Sequence, residues 1–339
     1  MSIPIIIACW VIAIFVFIRY SLIVVDDLDL FVATELVAKG GSVAGRSVAV
    51  VSMMRDPQEV DEWLNYHMLK GITRFYIRLE SADHNDAVAK VLLTYPQVTI
   101  QFGSFNDTPA TDLGDAPGHA QMLRQRTWLT ESIKNALNDG IDWIVHIDSD
   151  ELLECSGSVG DAIAQDARDK TQTMVIKNFE AVYPARKVDP SLPQSKFKST
   201  HTDHRAGESC FSYNDVKDCA GGHCASYANG KSLGRVTRYL REAGVHRFHY
   251  AGPTADDPVE MTSMRLIHFE SCDFNKYMDK FLKLSKSERV DFPFPYYNDS
   301  IAVAKSGPCT APRNQQSCND EFAKVYKRYR TDDLTLNPT

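Results

Sequence analysis

From residue 47 onward, short apolar runs alternate with amphipathic segments. Residues 47–52 are apolar on both faces, as a buried strand is. In residues 55–71, Val60, Trp63, Leu64 and Met68 fall on one helical face. Asp56 is placed to cap that helix, Pro57 to open it, Glu59 to complete a capping box and Gly71 to stop it. A strand (74–79), a polar turn (81–86), a helix ended by Pro96 (87–95) and a third strand (98–102) come next. The Asp-, Pro- and Gly-rich loop 103–118 leads into a long helix, 119–138, closed by Gly140. Residues 143–147 are again apolar on both faces. This alternation predicts an α/β fold with a mostly parallel, doubly wound sheet, whose ligands bind past the strand C-termini.

After Leu153 the rhythm changes. A helix is expected at 158–169 and one strand from 173 to 179, continuing toward Tyr183. Residues 184–234 read as polar, cysteine-bearing loop. Short strands follow at 245–250 and 264–269, then an amphipathic helix at 274–285. The tail from Asn298 reads as loop plus one helix, 319–330.

The N-terminus has a different pattern. Ile3 to Ile18 is apolar apart from Pro4, and residues 21–25 are mostly apolar again. Counted to Val25, the run reaches the roughly 20 residues of a membrane span, with Arg19 snorkelling toward an interface. No basic segment precedes it and no small-x-small cleavage site follows, which favours an uncleaved signal-anchor over a cleaved signal. Asp26, Asp27 and Asp29 suit the non-cytoplasmic flank. The expected organisation is an anchor (1–25), a short stem (26–46) and a folded part (47–339) divided near residue 155.

The 339 residues carry a net charge of -7, which argues against broad nucleic-acid binding. Cys9 lies in the anchor; Cys155, Cys210, Cys219, Cys224, Cys272, Cys309 and Cys318 all follow residue 153. Their loop settings, with Cys309 and Cys318 bracketing one loop, suit disulfides in an oxidising compartment, with one of the seven left unpaired. A zinc knuckle around Cys219, His223 and Cys224 lacks a second ligand pair.

The chemistry concentrates at Ile147-Asp148-Ser149-Asp150-Glu151-Leu152. An apolar strand that ends in carboxylates presents them at the ligand edge. Asp148 and Asp150 share a side if the strand is still extended there, and such a pair raises one pKa unless a cation intervenes. A hard divalent cation, Mn²⁺ or Mg²⁺, accompanied by substrate phosphates, fits. The plainer reading is a solvated acidic turn.

Three landmarks together carry a resemblance. Glu62-Trp63-Leu64-Asn65-Tyr66-His67 with Gly71-Ile72 is similar to the opening motif of glycosyltransferase family 92 and family-2-like relatives. The acidic stretch is similar to their D-x-D-E motif. Gly244-Val245-His246 and Leu266-Ile267-His268-Phe269 resemble their distal histidine segments. The resemblance covers roughly residues 47 to 285 and is loosest over 184–234. It implies a GT-A fold, a nucleotide-sugar donor (a UDP-sugar first), a divalent metal and a single-pass type II anchor in the Golgi or another secretory-pathway membrane. The acceptor would be a glycan or glycoconjugate hydroxyl.

Carried onto residues, the resemblance implies Asp150 on the metal, Asp148 on ribose or metal, and His246 as third metal ligand, with His249 and His268 competing. Imidazole favours Mn²⁺ over Mg²⁺. Donor-side candidates are Arg55, Asp83, Gln121, Arg124 and the basic cluster Lys231, Arg235 and Arg238, whose charges suit a diphosphate. Glu151 is expected to orient its neighbours or to open a helix, and His67 to be structural. An inverting reaction needs a general base; Asp215, Asp257 and Glu270 are candidates, beside Asp256 and Glu260. A non-catalytic glycan- or nucleotide-binding protein on the same fold is the alternative. A sugar nucleotidyltransferase is disfavoured, because residues 52–57 hold no Gly-rich phosphate loop.

Overall fold

The computed structural model describes residues 46–55, 57, 59–80, 86–104, 119–183, 215–218, 229–253, 256–270, 272, 274–286, 295–310 and 315–330. The expected anchor, nearly all of the stem, Asp56, the turn at 81–85, the loop 184–214 and Cys210, Cys219 and Cys224 lie outside them. Among the described residues, no helix is long and apolar enough to cross a membrane. The chain divides at Arg46/Ser47 into two units, and the described elements belong to the second.

That unit begins with β1 (Val48–Met54), α1 (Val60–Leu69), β2 (Arg74–Leu79), α2 (Ala87–Leu92), β3 (Val98–Phe102), α3 (His119–Asn138) and β4 (Trp143–His146). The four strands pair in parallel in the order β3-β2-β1-β4. All seven residues of β1 and all four of β4 are buried, which is why both read as continuous apolar runs. The strand order reverses between β1 and β4. That switch point is where an open α/β sheet leaves a crevice beyond the strand C-termini. Helix α1 starts later than expected. Its N-cap, Glu59, has a left-handed backbone (φ 47), so Glu59 stands at the boundary and not inside a capping box.

The sheet continues through strands from the second half: β6 (Thr173–Ile176), β9 (Lys231–Arg235) and β12 (Val259–Glu260), in the full order β12-β6-β9-β4-β1-β2-β3. Strand β9, expected to be loop, runs antiparallel to both β4 and β6. Its small residues explain both the missed reading and the fit. A Cβ on Gly234 would lie within 3.0 Å of Leu240 and Phe248 side chains, and Ser232 Oγ accepts from the Phe248 amide at 2.8 Å. The hairpin β10 (Leu240–Glu242) and β11 (Phe248–Tyr250) therefore packs directly on β9.

A second sheet has the order β5-β13-β7-β8, built from β5 (Glu151–Cys155), β13 (Met264–His268), β7 (Asn178–Val182) and β8 (Asp215–Asp218). The single strand expected over 173–183 is thus two strands in different sheets. Gly230 permits the crossing: its φ is +55, and a Cβ there would sit 2.0 Å from the Ile176 carbonyl oxygen.

Helix α1 holds the outer edge of β5. Trp63 Nε1 donates to the Glu151 carbonyl (2.9 Å), Tyr66 Oη to that of Leu153 (3.1 Å) and Lys70 Nζ to that of Cys155 (2.8 Å). His67 Nε2 accepts from the Leu153 amide at 3.3 Å, while its Nδ1 lies 2.8 Å from the Trp63 carbonyl. Burial drops its pKa to about 3, so it is neutral. The Trp-x-x-Tyr-His-x-x-Lys spacing is a clamp that satisfies an edge strand's alternate carbonyls. Helix α4 (Val159–Asp166), capped by Ser158 and Asp161, follows β5.

Helix α5 (Phe274–Leu284) falls where it is expected, and the tail after it forms α6 (Pro295–Lys305), α7 (Gly307–Thr310) and α8 (Gln315–Arg330), not a loop with one helix. Buried rings explain this. Tyr277 lies within 5.6 Å, centroid to centroid, of Phe281, Tyr296, Phe322 and Tyr326. A disulfide joins Cys309 to Cys318. Cys272 is disulfide-bonded as well, and Cys155 is the free thiol among the described residues.

Candidate functional site

The acidic stretch lies at the C-terminal end of β4, beside the end of β1. The strand ends at His146, and the Ile147 amide still donates to the Val51 carbonyl at 3.0 Å. The chain then turns: the Glu151 amide donates to the Asp148 carbonyl (3.1 Å) and β5 begins at once. Glu151 therefore opens a strand, not a helix. Because the backbone is no longer extended, Asp148 and Asp150 do not share partners.

Asp148 points to Lys231 Nζ (2.7 Å from Oδ2) and receives Gln125 Nε2 at 3.3 Å on Oδ1. Lys231 also lies 3.4 Å from Glu151 Oε2, and that oxygen accepts from the Asp148 amide at 2.7 Å. Lys231 is 1% exposed and Glu151 0%. Burial opposes charge on Asp148, but Lys231 outweighs it and holds the carboxyl well below its ordinary range. Burial pushes Glu151 up, against the pull of Lys231. The Lys231 ammonium stays charged despite burial, because Asp148 and Glu151 flank it. The amine is closed off from solvent. The structure makes it an internal counter-ion, correcting its assignment to the donor.

Asp150 is turned the other way, 44% exposed, with Oδ2 at 3.6 Å from His268 Nε2. The small sheet explains the pairing. His268 on β13 is in register with Glu151 on β5 and with Glu180 on β7, so one rung carries all three. His268 Nδ1 lies 2.8 Å from Glu180 Oε1, which also accepts from Asn178 Nδ2 at 2.9 Å. The Phe269 amide donates to the Asp150 carbonyl at 2.7 Å. Burial works against a charged imidazole here, yet Glu180 and Asp150 raise the His268 pKa well above its usual value.

Two further histidines, His246 and His146, lie near Lys231 and Asp148. His246 Nδ1 lies 3.1 Å from the Gly230 carbonyl, and burial with the nearby Lys231 ammonium lowers its pKa to about 4. His146, two residues before Asp148, has Nδ1 at 2.8 Å from the Val245 carbonyl. The same two causes lower its pKa to about 4. The imidazole presented to Asp150 is His268, not His246; a ring held beside a buried ammonium is poorly placed for a second cation. His249 is exposed on β11.

The remaining candidates are scattered. Arg55 is exposed at the end of β1, and Gln121 is exposed in the first turn of α3. Arg124 is buried and forked onto Glu80 at the end of β2, with Nη2–Oε2 at 3.1 Å, so it braces the sheet edge. Gln125, four residues beyond Gln121 on the same face, is the α3 residue that reaches Asp148. Because β9 is antiparallel, Lys231 sits at the ligand edge and Arg235 at the opposite one, level with Trp143 and over its ring. Arg235 therefore leaves the donor set. Asp257 leaves the candidate bases for a like reason: it precedes β12, which enters the sheet with Val259 level with Met174, Leu233 and Val145. Glu270 is buried, and its Oε1 accepts from Tyr297 Oη (2.5 Å) and from Lys280, tying β13 to α5 and α6. Asp215 opens β8 opposite Val182. Asp83 and its turn lie outside the described residues. Glu180 was missed; a lone acid within the apolar run Phe179–Val182 is the signal that such a strand needs an internal partner.

The sheet and its carboxylate-bearing edge define a mixed α/β protein with a mostly parallel, Rossmann-like central sheet. The chain is similar to two Arabidopsis thaliana proteins. "Glycosyltransferase-like At2g41451" is 26% identical over 233 residues, 63% of this chain and 51% of that protein. "Glycosyltransferase-like At3g57200" is 24% identical over 226 residues, 61% of this chain and 43% of that protein. The matched region spans about half the length of these curated relatives. No family model matches the chain. The likeness supports a place among glycosyltransferase-like proteins.

Proposed function

We propose that this chain is a membrane-anchored, metal-dependent glycosyltransferase of the GT-A type, akin to family 92 and the family-2-like enzymes. It moves a sugar from a nucleotide-sugar donor, a UDP-sugar first, to a glycan or glycoconjugate hydroxyl. The observation that carries the reading is the exposed Asp150 carboxylate facing His268 Nε2 at the crevice where the strand order reverses. The two glycosyltransferase-like relatives support it.

The donor set fits a divalent cation. Asp150 offers a hard, solvent-facing oxygen and His268 a ring nitrogen, a mixture that suits Mn²⁺ better than Mg²⁺. A cation bound there supplies neutralisation of the departing diphosphate. Asp148, ion-paired beneath the turn, is left to accept a hydroxyl of the donor, with Gln125 and Lys231 holding its orientation. Arg55 stands across the switch point at the end of β1. The disulfides at Cys272 and Cys309–Cys318 suit a lumenal catalytic part, and the apolar run before Val25 suits a type II anchor in a Golgi-type membrane.

The test is a donor screen. Full-length protein in detergent is incubated with UDP- and GDP-sugars, with Mn²⁺ and with EDTA. Release of nucleotide from one donor, only with metal, is the expected result and names the sugar. Turnover that persists in EDTA removes the metal from the reading. Nucleotide or glycan binding without any turnover transfers the reading to the non-catalytic alternative.

A further inference from the structure

We infer that Glu180 is a positioning residue of the candidate metal site: through its contact with Nδ1 it fixes the ring of His268 so that Nε2 faces Asp150. The inference rests on the metal-site reading above and adds a residue to it.

The two ring nitrogens of His268 face two different carboxylates. Nδ1 is 2.8 Å from Glu180 Oε1, and Nε2 is 3.6 Å from Asp150 Oδ2. The carboxylates differ in kind: the Glu180 side chain is 4% exposed and that of Asp150 44%. The metal-free ring holds a proton on each nitrogen, and a cation binding at Nε2 displaces the one there to solvent; the neutral imidazole left behind still donates Nδ1–H to the buried carboxylate, and its ring cannot rotate without breaking that bond. Carboxylates in this position raise ligand basicity and set the tautomer.

Glu180 is itself held. Asn178 Nδ2 donates to the same oxygen at 2.9 Å, and the pairing of β7 with β13 places Asn178 level with Leu266 and Glu180 level with His268. The arrangement is thus written into a strand ladder, not into a loop. A direct role for Glu180 on the cation fits less well. Glu180, His268 and Glu270 do bring ligand-type atoms within 4.8 Å of one another. However, Glu270 already carries the Lys280 ammonium, which supplies positive charge on that side. Asp150, by contrast, opens to solvent on the Nε2 side.

Mn²⁺ binding by the full-length protein in detergent, followed by the electron paramagnetic resonance signal of the free ion, tests this without donor or turnover. Glu180→Leu is expected to weaken Mn²⁺ binding by about 10–100-fold. Saturating Mn²⁺ should then restore most of the kcat of any turnover. Glu180→Gln keeps shape and an acceptor but loses the charge, and should fall between the Leu variant and the wild type. In a His268→Ala background, Glu180→Leu should add nothing, because its effect passes through the ring. An additive loss would make Glu180 a ligand and overturn the inference. So would wild-type affinity in Glu180→Leu, or in Glu180→Gln where the Leu variant does not fold. If Asp150→Ala and His268→Ala also bind Mn²⁺ as tightly as wild type, the metal-site reading itself falls, an outcome distinct from the failure of Glu180 alone.

Discussion

Replacing Lys231 with methionine keeps most of the apolar stem of the side chain and removes the ammonium, with its charge and its hydrogen bond to Asp148. The ammonium is 2.7 Å from Asp148 Oδ2 and 3.4 Å from Glu151 Oε2, with Lys231 1% exposed and Glu151 fully buried. Loss of one partner from a buried ion pair costs about 3–5 kcal/mol, because the other charge is left uncompensated. That is a large share of the roughly 5–15 kcal/mol that stabilises a folded domain. At roughly 2–4 °C per kcal/mol for domains of 150–250 residues, the melting temperature should fall by about 6–20 °C.

The pH dependence follows from the Asp148 shift. Lys231 holds the folded-state pKa of Asp148 below its unfolded value. That stabilisation is present above the unfolded value, about 3.9, and is lost as pH falls through the lower folded value. The gap between wild type and Lys231→Met should therefore be widest near neutral pH. It should narrow as pH falls, because an unpaired buried carboxylate takes up a proton. The opposite shift on Lys231 makes a contribution that is lost only above its unfolded pKa of about 10.4, outside this window. Thermal unfolding of metal-free protein at pH 5 and pH 8, followed by circular dichroism, measures both effects. Adding Glu151→Gln should recover about 1–3 kcal/mol of the loss, since the two sites share the pair. A Lys231→Met protein that melts within a degree of wild type at pH 8, or whose deficit grows at pH 5, would refute the buried counter-ion.

Three further expectations can be checked. Asp150→Ala should abolish metal-dependent turnover while leaving the melting temperature near wild type, because Asp150 is 44% exposed; unchanged turnover would remove it from the site. Trp63→Ala should cost about 3–5 kcal/mol, measured by denaturant unfolding, because the ring is fully buried and its Nε1 holds the Glu151 carbonyl. Cys309→Ser with Cys318→Ser should lower stability by about 2.5 kcal/mol on the loop-entropy estimate, given a separation of 9 residues, with little effect on Mn²⁺ affinity.

Much of the nucleotide-side half was legible from local pattern alone. Strands β2, β3 and β4 and helix α3 fall where apolar period and glycine stops put them, because each buries a face that its own residues define. The acidic stretch was legible as the end of a buried strand for the same reason. Trp63 on the apolar helix face and the structural role of His67 were legible too, although their partners on β5 were not visible.

What the chain does between residues 173 and 270 depended on pairings that no local period records. Strand β9 has only Leu233 as a large apolar residue, and it is a strand because the hairpin packs against Gly234 and its neighbours pair with it. Its antiparallel direction sends Lys231 to the acidic turn and Arg235 to the far edge, although the two stand four residues apart in one basic run. His246 and His268 look alike in sequence. The rung linking β5, β13 and β7 brings His268 to Asp150 and Glu180, while His246 is held at Gly230. Composition and periodicity determine which faces are buried, because burial is a property of each residue and its near neighbours. Which charged groups meet is decided by strand direction and register, and these exist only once distant segments have paired.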